Sequence, residues 1–150
     1  INMDAIIETD NPEKAKQAIK SIKNSPIIIK SKNLDFDRKL LEYGKFDILL
    51  DIEKTNGKNT LRYINSGLNH VLARIASKNN IALGIDLLAL SKKNKKEKAE
   101  LLTKIKQNIK ICRKAGVKIK ALFYKDKKDV MSLFQSLGAS SQQAIESTKV

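Results

Sequence analysis

SKNNIALGIDL, residues 77–87, joins the end of one periodicity to the start of another. Before it, Leu68, Val71, Leu72, Ile75 and Ala76 recur at the three- and four-residue steps of a helix with one apolar face, and Asn79-Asn80 stops that pattern. After the asparagines, IALGIDL (81–87) is a near-continuous apolar run, as expected of a strand covered on both faces. The same alternation repeats along the chain. DAIIE (4–8), PIIIK (26–30) and FDILL (46–50) are further runs of this kind, whereas VKIKALFY (117–124) is interrupted by Lys118 and Lys120 and reads as an edge strand.

Helical patterns fill the intervals. Ala15, Ala18, Ile19 and Ile22 follow an Asn11-Pro12 start that suits a first helix, and a second from about Asp35 to Tyr43 stops at Gly44. A longer one, about Lys95 to Ala115, presents Leu101, Leu102, Ile105, Ile109 and Cys112. Another, capped by Asp126, carries Val130, Leu133, Phe134 and Leu137, and a short last helix follows Ser140-Ser141. Strands alternating with crossovers too long for hairpins imply parallel strands in right-handed βαβ units. About five such strands make either a doubly wound sandwich of flavodoxin type or an arc of a (β/α) barrel, and the pattern alone does not choose between them.

At 150 residues the chain is expected to form a single domain, 1–150, with one core. It carries no apolar stretch of membrane-spanning length and no signal-peptide pattern, so a cytoplasmic location is expected. Its one cysteine, Cys112, falls in an apolar helical stripe and reads as a core residue. Charge is more informative. Thirty basic side chains oppose sixteen acidic ones, and the excess is uneven: net +3 over residues 1–90 and net +11 over 91–150. Such a field concentrates polyanions, of which nucleic acid is the commonest for a soluble protein. Only 4 of the 30 basic residues are arginine, which a generally lysine-rich proteome would also produce, so charge alone leaves the partner open.

Chemistry is constrained by what is missing. His70 is the single histidine, which excludes a histidine-rich metal cluster, and no phosphate-binding loop, dinucleotide fingerprint, nucleophile elbow or Cys-x-x-Cys pair occurs. Glu8 and Asp10 make a poor acidic pair for a receiver domain. Glu8, Asp51, Glu53 and Asp86 do sit at strand C-terminal ends, where barrel enzymes place working groups, so a small magnesium-dependent phosphoesterase is the alternative reading. On the third helix, His70, Arg74 and Lys78 follow at four-residue steps and form one polar ridge of donors about 6 Å apart, able to track phosphates. Lys16, Lys20 and Lys23 repeat the idea on the first helix, and Lys106, Lys110 and Lys114 on the fourth. Exposed helix faces are commonly charged for solvation alone, and for any single stripe that explanation is at least as good.

The segment SGLNHVLARIASKNNIALGIDL (66–87) resembles the signature of the thirty-kilodalton protein subunit family of ribonuclease P, known in archaea as component 3: Gly-(Leu/Ile)-(Asp/Asn)-His-Val-Leu-Ala-(Arg/Lys), a helix, then an Ala-(Leu/Ile)-Gly strand. DFDRKLLEYGKFDILL (35–50) and KKDVMSLFQSLGA (127–139) are similar to two further family regions, so that the resemblance runs along essentially the whole chain. Asn69 stands where aspartate is commoner, LRYIN (61–65) departs from the family's basic-acidic approach, and AIEST (144–148) lacks an expected lysine.

The resemblance implies an incomplete (β/α) TIM-barrel-like fold, similar to the PHP metallophosphoesterase scaffold without its metal ligands. It implies a non-catalytic, RNA-binding subunit of ribonuclease P, supporting RNA-catalysed removal of the 5′ leader from precursor tRNA. The expected partners are ribonuclease P RNA, precursor tRNA and a ferredoxin-like protein subunit. No cofactor is expected on the protein, and magnesium is expected on the RNA. The basic positions that carry over for RNA binding are Lys16, Arg38, Arg62, His70, Arg74, Lys78 and Lys128. Family members usually begin with two more strand-helix units, and a chain shortened in that way would leave sheet edges near 4–8 and 117–124 for a homodimer or partner to cover.

Overall fold

The computed structural model describes residues 6–54 and 62–149, so the first two positions of the DAIIE run lie outside the described residues. The elements are β1 (Ile6–Ile7), α1 (Pro12–Ser21), β2 (Ile28–Lys30), α2 (Leu34–Tyr43), β3 (Ile48–Leu50), a 3-10 turn (Ile52–Lys54), α3 (His70–Lys78), β4 (Ala82–Asp86), α4 (Leu87–Ser91), α5 (Lys95–Ala115), β5 (Ile119–Leu122), α6 (Lys127–Ser136) and α7 (Ser141–Ser147). Every described helix starts on an Asn, Asp or Ser whose side-chain oxygen accepts a backbone N–H of the first turn: Asn11, Asn33, Asn69, Asp86, Asn94, Asp126 and Ser140. Gly44 and Gly116, both at positive φ, end α2 and α5.

The strands pair in the order β1-β2-β3-β4-β5, all parallel. A flavodoxin-type sheet would place β1 inside the order; sequential neighbours are the arrangement of a (β/α) barrel, here an open arc of one. Register fixes the two faces. Ile7, Ile29, Leu49, Leu83, Ile85, Ile119 and Ala121 point into the main core, where Leu40, Leu72, Ile105 and Phe134 of the helices meet them. On the other, concave face, Ile28, Ile48, Leu50, Ala82 and Leu122 form a second cluster with no helix in it. Gly84 belongs to that face: a Cβ there would lie 2.6 Å from Ile48 Cγ2, so the glycine makes the room that the inner row needs.

Several expectations need correction. IALGIDL is not a strand to its end, because the Asp86 carboxylate accepts the Ala89 N–H at 3.0 Å and turns Leu87–Ser91 directly into α4. Val71 does not join the buried face of α3; it is 52% exposed, and Ala73 takes the buried place between Leu72 and Ala76. Lys23 lies beyond α1, which stops at Ser21, so the stripe on that helix is shorter than its spacing suggested. The β5 side of the sheet is also not bare. Helix α7 packs along β5, Lys120 Nζ donates to the Glu146 and Lys149 carbonyls at 3.0 and 3.4 Å, and Tyr124 Oη donates to that of Thr148 at 3.3 Å.

The crossover from β3 to α3 is held by contacts far apart in sequence. Gln107 Nε2 donates to Ile64 O (3.1 Å) and Ser66 Oγ (2.9 Å), and Asn108 Nδ2 donates to Ser66 O (3.0 Å), tying residues 64–66 to α5. Gly67 then passes directly beneath the 3-10 turn at φ 82°; a Cβ on it would stand 2.1 Å from the Ile52 carbonyl oxygen. That is a contact with backbone, which cannot swing aside. Gly67→Ala is therefore expected to lower unfolding stability by roughly 2–4 kcal/mol, from backbone strain together with overpacking. Urea denaturation followed by circular dichroism measures it, and a loss under ~1 kcal/mol would show that the crossover relaxes freely.

Candidate nucleic-acid interface

Asn69 caps α3, accepting the Leu72 N–H at 2.8 Å. Aspartate would cap equally well, so the Asn-for-Asp departure leaves the helix start unchanged. Cap and buried Leu68 together orient α3 so that His70, Arg74 and Lys78 all stand exposed on its solvent side. No acidic residue occurs in α3, and these three side chains make no ion pair among the described residues. The sequence ridge is thus realised as an unneutralised row.

The other carried-over positions behave differently. Lys16 lies between α1 and α2, 3.3 Å from Glu13 and with its ammonium 5.4 Å from the Tyr43 ring centroid, where it serves helix packing. Arg38, on α2, is exposed but its Nε meets Glu42 at 3.1 Å, and its neighbour Lys39 meets Asp35 at the same distance. Lys16, Arg38 and Arg74 each occupy the second turn of consecutive, touching helices, so the fold does bring them to one side of the arc. Arg62 is exposed on the approach to α3. Lys128, in the first turn of α6, lies beyond α5 and apart from that set.

A second basic surface lies on α5. Helix α5 packs beside α3, and from Leu101 to Ala115 it carries five basic and no acidic residues. Lys106, Lys110, Arg113 and Lys114 are exposed and make no ion pair among the described residues. The stripe of three lysines was visible as spacing; Arg113 was missed, although the absence of acids three or four residues away was a legible signal.

The carboxylates of the alternative reading do not form a metal site: Asp51, Glu53 and Asp86 are near enough to repel one another, but Glu8 stands apart on Lys30 and Lys32. Glu8 is held by Lys30 (3.3 Å) and Lys32 (3.6 Å), and these bonds draw its pKa below the ordinary value. Asp51, Glu53 and Asp86 are buried at the strand ends, and Asp86 is committed to capping α4. Lys54 Nζ sits 3.3 Å from Asp51 Oδ1 without hydrogen-bond geometry, an ion pair only. Among the described residues no three His, Cys, Asp or Glu side chains group so as to hold a metal ion. Burial, reinforced by the Asp51 charge, pushes the Glu53 carboxyl up to about 7.

No family model matches the chain. Curated relatives do. Ribonuclease P protein component 3 of Methanosarcina acetivorans is 30% identical over 112 residues, covering 73% of this chain and 44% of the relative. The protein of the same name from Methanocaldococcus jannaschii is 29% identical over 115 residues, covering 75% and 47%, and that of Methanococcus maripaludis 26% over 110 residues, covering 72% and 44%. The chain resembles archaeal ribonuclease P protein component 3. It spans less than half the length of these component 3 relatives. A chain in the cryo-EM structure of archaeal ribonuclease P with mature tRNA superposes with TM-score 0.78 at 23% identity, covering 94% of this chain and 62% of that one. That likeness establishes the shared fold. Among the described residues no helix is long and apolar enough to cross a membrane.

The Glu53 shift has a definite sign. A carboxyl whose folded pKa lies above its ordinary 4.5 stabilises the fold fully below that value and loses the contribution as pH rises through about 7. The loss amounts to roughly 3 kcal/mol. Stability measured by urea titration is expected to fall more steeply between pH 5 and 8 in the parent chain than in Glu53→Gln. Parallel profiles would mean that the carboxyl ionises without cost.

Proposed function

We propose that this chain is an RNA-binding, non-catalytic protein subunit of ribonuclease P, supporting RNA-catalysed removal of the 5′ leader from precursor tRNA. The observation that carries the reading is the unpaired row His70, Arg74 and Lys78, presented by the same segment that bears the family resemblance. Arginine and lysine without local acidic partners keep their full attraction for phosphate, whereas a cation already paired within its helix must first exchange that partner. In this reading Arg74 and Lys78 contact phosphates, His70 donates or accepts at a ribose or base edge, and Lys16 and Arg38 contribute less than their spacing suggests. Arg62 and Lys128 extend the contact at its margins.

Magnesium and the bond-breaking chemistry then belong to the RNA. A ferredoxin-like protein subunit is part of the proposed assembly. Strand β1 has no neighbour on its outer side among the described residues, and pairing there with a second copy or another partner is also proposed. Localisation follows the RNA, in the cytoplasm.

Arg74→Ala is expected to weaken binding to ribonuclease P RNA and to reduce the slope of log affinity against log salt by roughly 0.7–0.9, while Arg38→Ala changes that slope by less than half as much. Filter binding across a salt series reads both slopes, and equal effects would remove the distinction between paired and unpaired cations. Reconstituted precursor-tRNA cleavage that is indifferent to adding this chain would overturn the proposed role itself.

A further inference from the structure

Across the outer surface of α5 runs a groove of about 520 Å³, within the volume range of small-ligand sites. Lys106, Lys110 and Arg113 line it on successive turns, spanning about 10 Å along the helix. Ile64 forms one wall and Leu137 with Gly138 the other. The first wall is fixed, since Gln107 holds the Ile64 carbonyl at 3.1 Å and the Ser66 hydroxyl at 2.9 Å. The second opens freely outward, with no atom within 4 Å of where a Gly138 Cβ would stand. The three cations make no ion pair among the described residues.

We propose that this groove seats a single-stranded RNA segment crossing α5, with successive phosphates on Lys106, Lys110 and Arg113 and one ribose and base against Ile64 and Leu137. The inference rests on the RNA-binding reading and deepens it by adding a second contact surface beside the α3 ridge. Charge complementarity selects a polyanion, because the part of the chain from residue 91 onward is net +11. The combination of unpaired cations with an apolar wall selects a ligand that carries both phosphate and an organic body. A duplex is too wide to enter a cleft of this size and keeps its bases inside. The groove is lined by no aromatic ring, so the seat lacks a stacking platform and discriminates little among bases.

The test uses the full chain and a fluorescent ten-nucleotide oligouridylate, with a ten-base-pair RNA duplex as comparison, each measured by anisotropy across a salt series. Replacing Lys106, Lys110 and Arg113 together by alanine is expected to lower the single-strand salt slope by about 2, at roughly 0.7 per lost contact. Thr103→Met narrows the groove without changing charge or adding an aromatic ring, and is expected to weaken oligouridylate binding about fivefold while leaving the duplex within twofold. Circular dichroism confirms that both variants fold. An unchanged slope in the triple variant, or unchanged single-strand affinity in Thr103→Met, overturns the groove. So does displacement of oligouridylate by polyglutamate at equal charge concentration, which would make the site one for acidic protein. If those results appear while Arg74→Ala still weakens ribonuclease P RNA binding, the groove alone fails and the subunit reading stands.

Discussion

Five parallel strands in sequential order oblige every crossover to lie on the same side of the sheet, because each connection from a strand to its parallel neighbour is right-handed. The division of the molecule follows from this. Among the described residues the crossover helices cover the face bearing Ile29, Leu49, Leu83 and Ile119, while Ile28, Ile48 and Leu122 on the other face are buried in a cluster of their own, with α7 reached from that face through Lys120. Gly84 is part of the same constraint, since the inner row closes only where one position carries no Cβ. The helices, with one face committed to the sheet, have an outer face left for charge, and the basic residues accumulate there.

Within that outer layer, the number of cations says less than what neutralises them. On α1 and α2, Lys16 is paired with Glu13, Arg38 with Glu42 and Lys39 with Asp35, each three or four positions away. Such pairs contribute little stability at a surface, yet they reduce the field that a phosphate would meet. Helix α3 and the last turns of α5 carry no acids, so adjacent helices present an unscreened surface. Basic residues near helix C-termini also suit the helix dipole, which makes Lys78, Arg113 and Lys114 locally comfortable as well as available.

The segment SGLNHVLAR joins the two halves of this arrangement. Its serine is bonded to Gln107 and Asn108, its glycine lies against the Ile52 carbonyl, its leucine is buried and its asparagine caps α3. Four of its residues thus serve to fix a crossover, and the exposed His70 and Arg74 are what that fixed crossover presents. The buried carboxylates nearby, which sequence position alone made candidates for catalysis, are spent on capping and ion pairing or are pushed toward the neutral form.

Periodicity in the sequence determined the strands and longer helices, because a 3.6-residue repeat and a short apolar run are local properties of the chain. Spacing likewise placed His70, Arg74 and Lys78 on one ridge, and the presence or absence of nearby acids already marked which cations would be neutralised. Strand order, the choice between a sandwich and a barrel arc, and the covering of β5 by α7 were decided by tertiary structure, since they depend on which elements meet rather than on what each one is. The same holds for Val71, turned outward while Leu72, Ala73 and Ala76 take the buried side of α3, and for Asp86, whose capping bond starts a helix where the apolar run alone suggested more strand. The groove on α5 is likewise tertiary: its cations are consecutive turns of one helix, but its walls come from Ile64, held to Gln107 by a hydrogen bond spanning some forty residues, and from Leu137 at the end of α6.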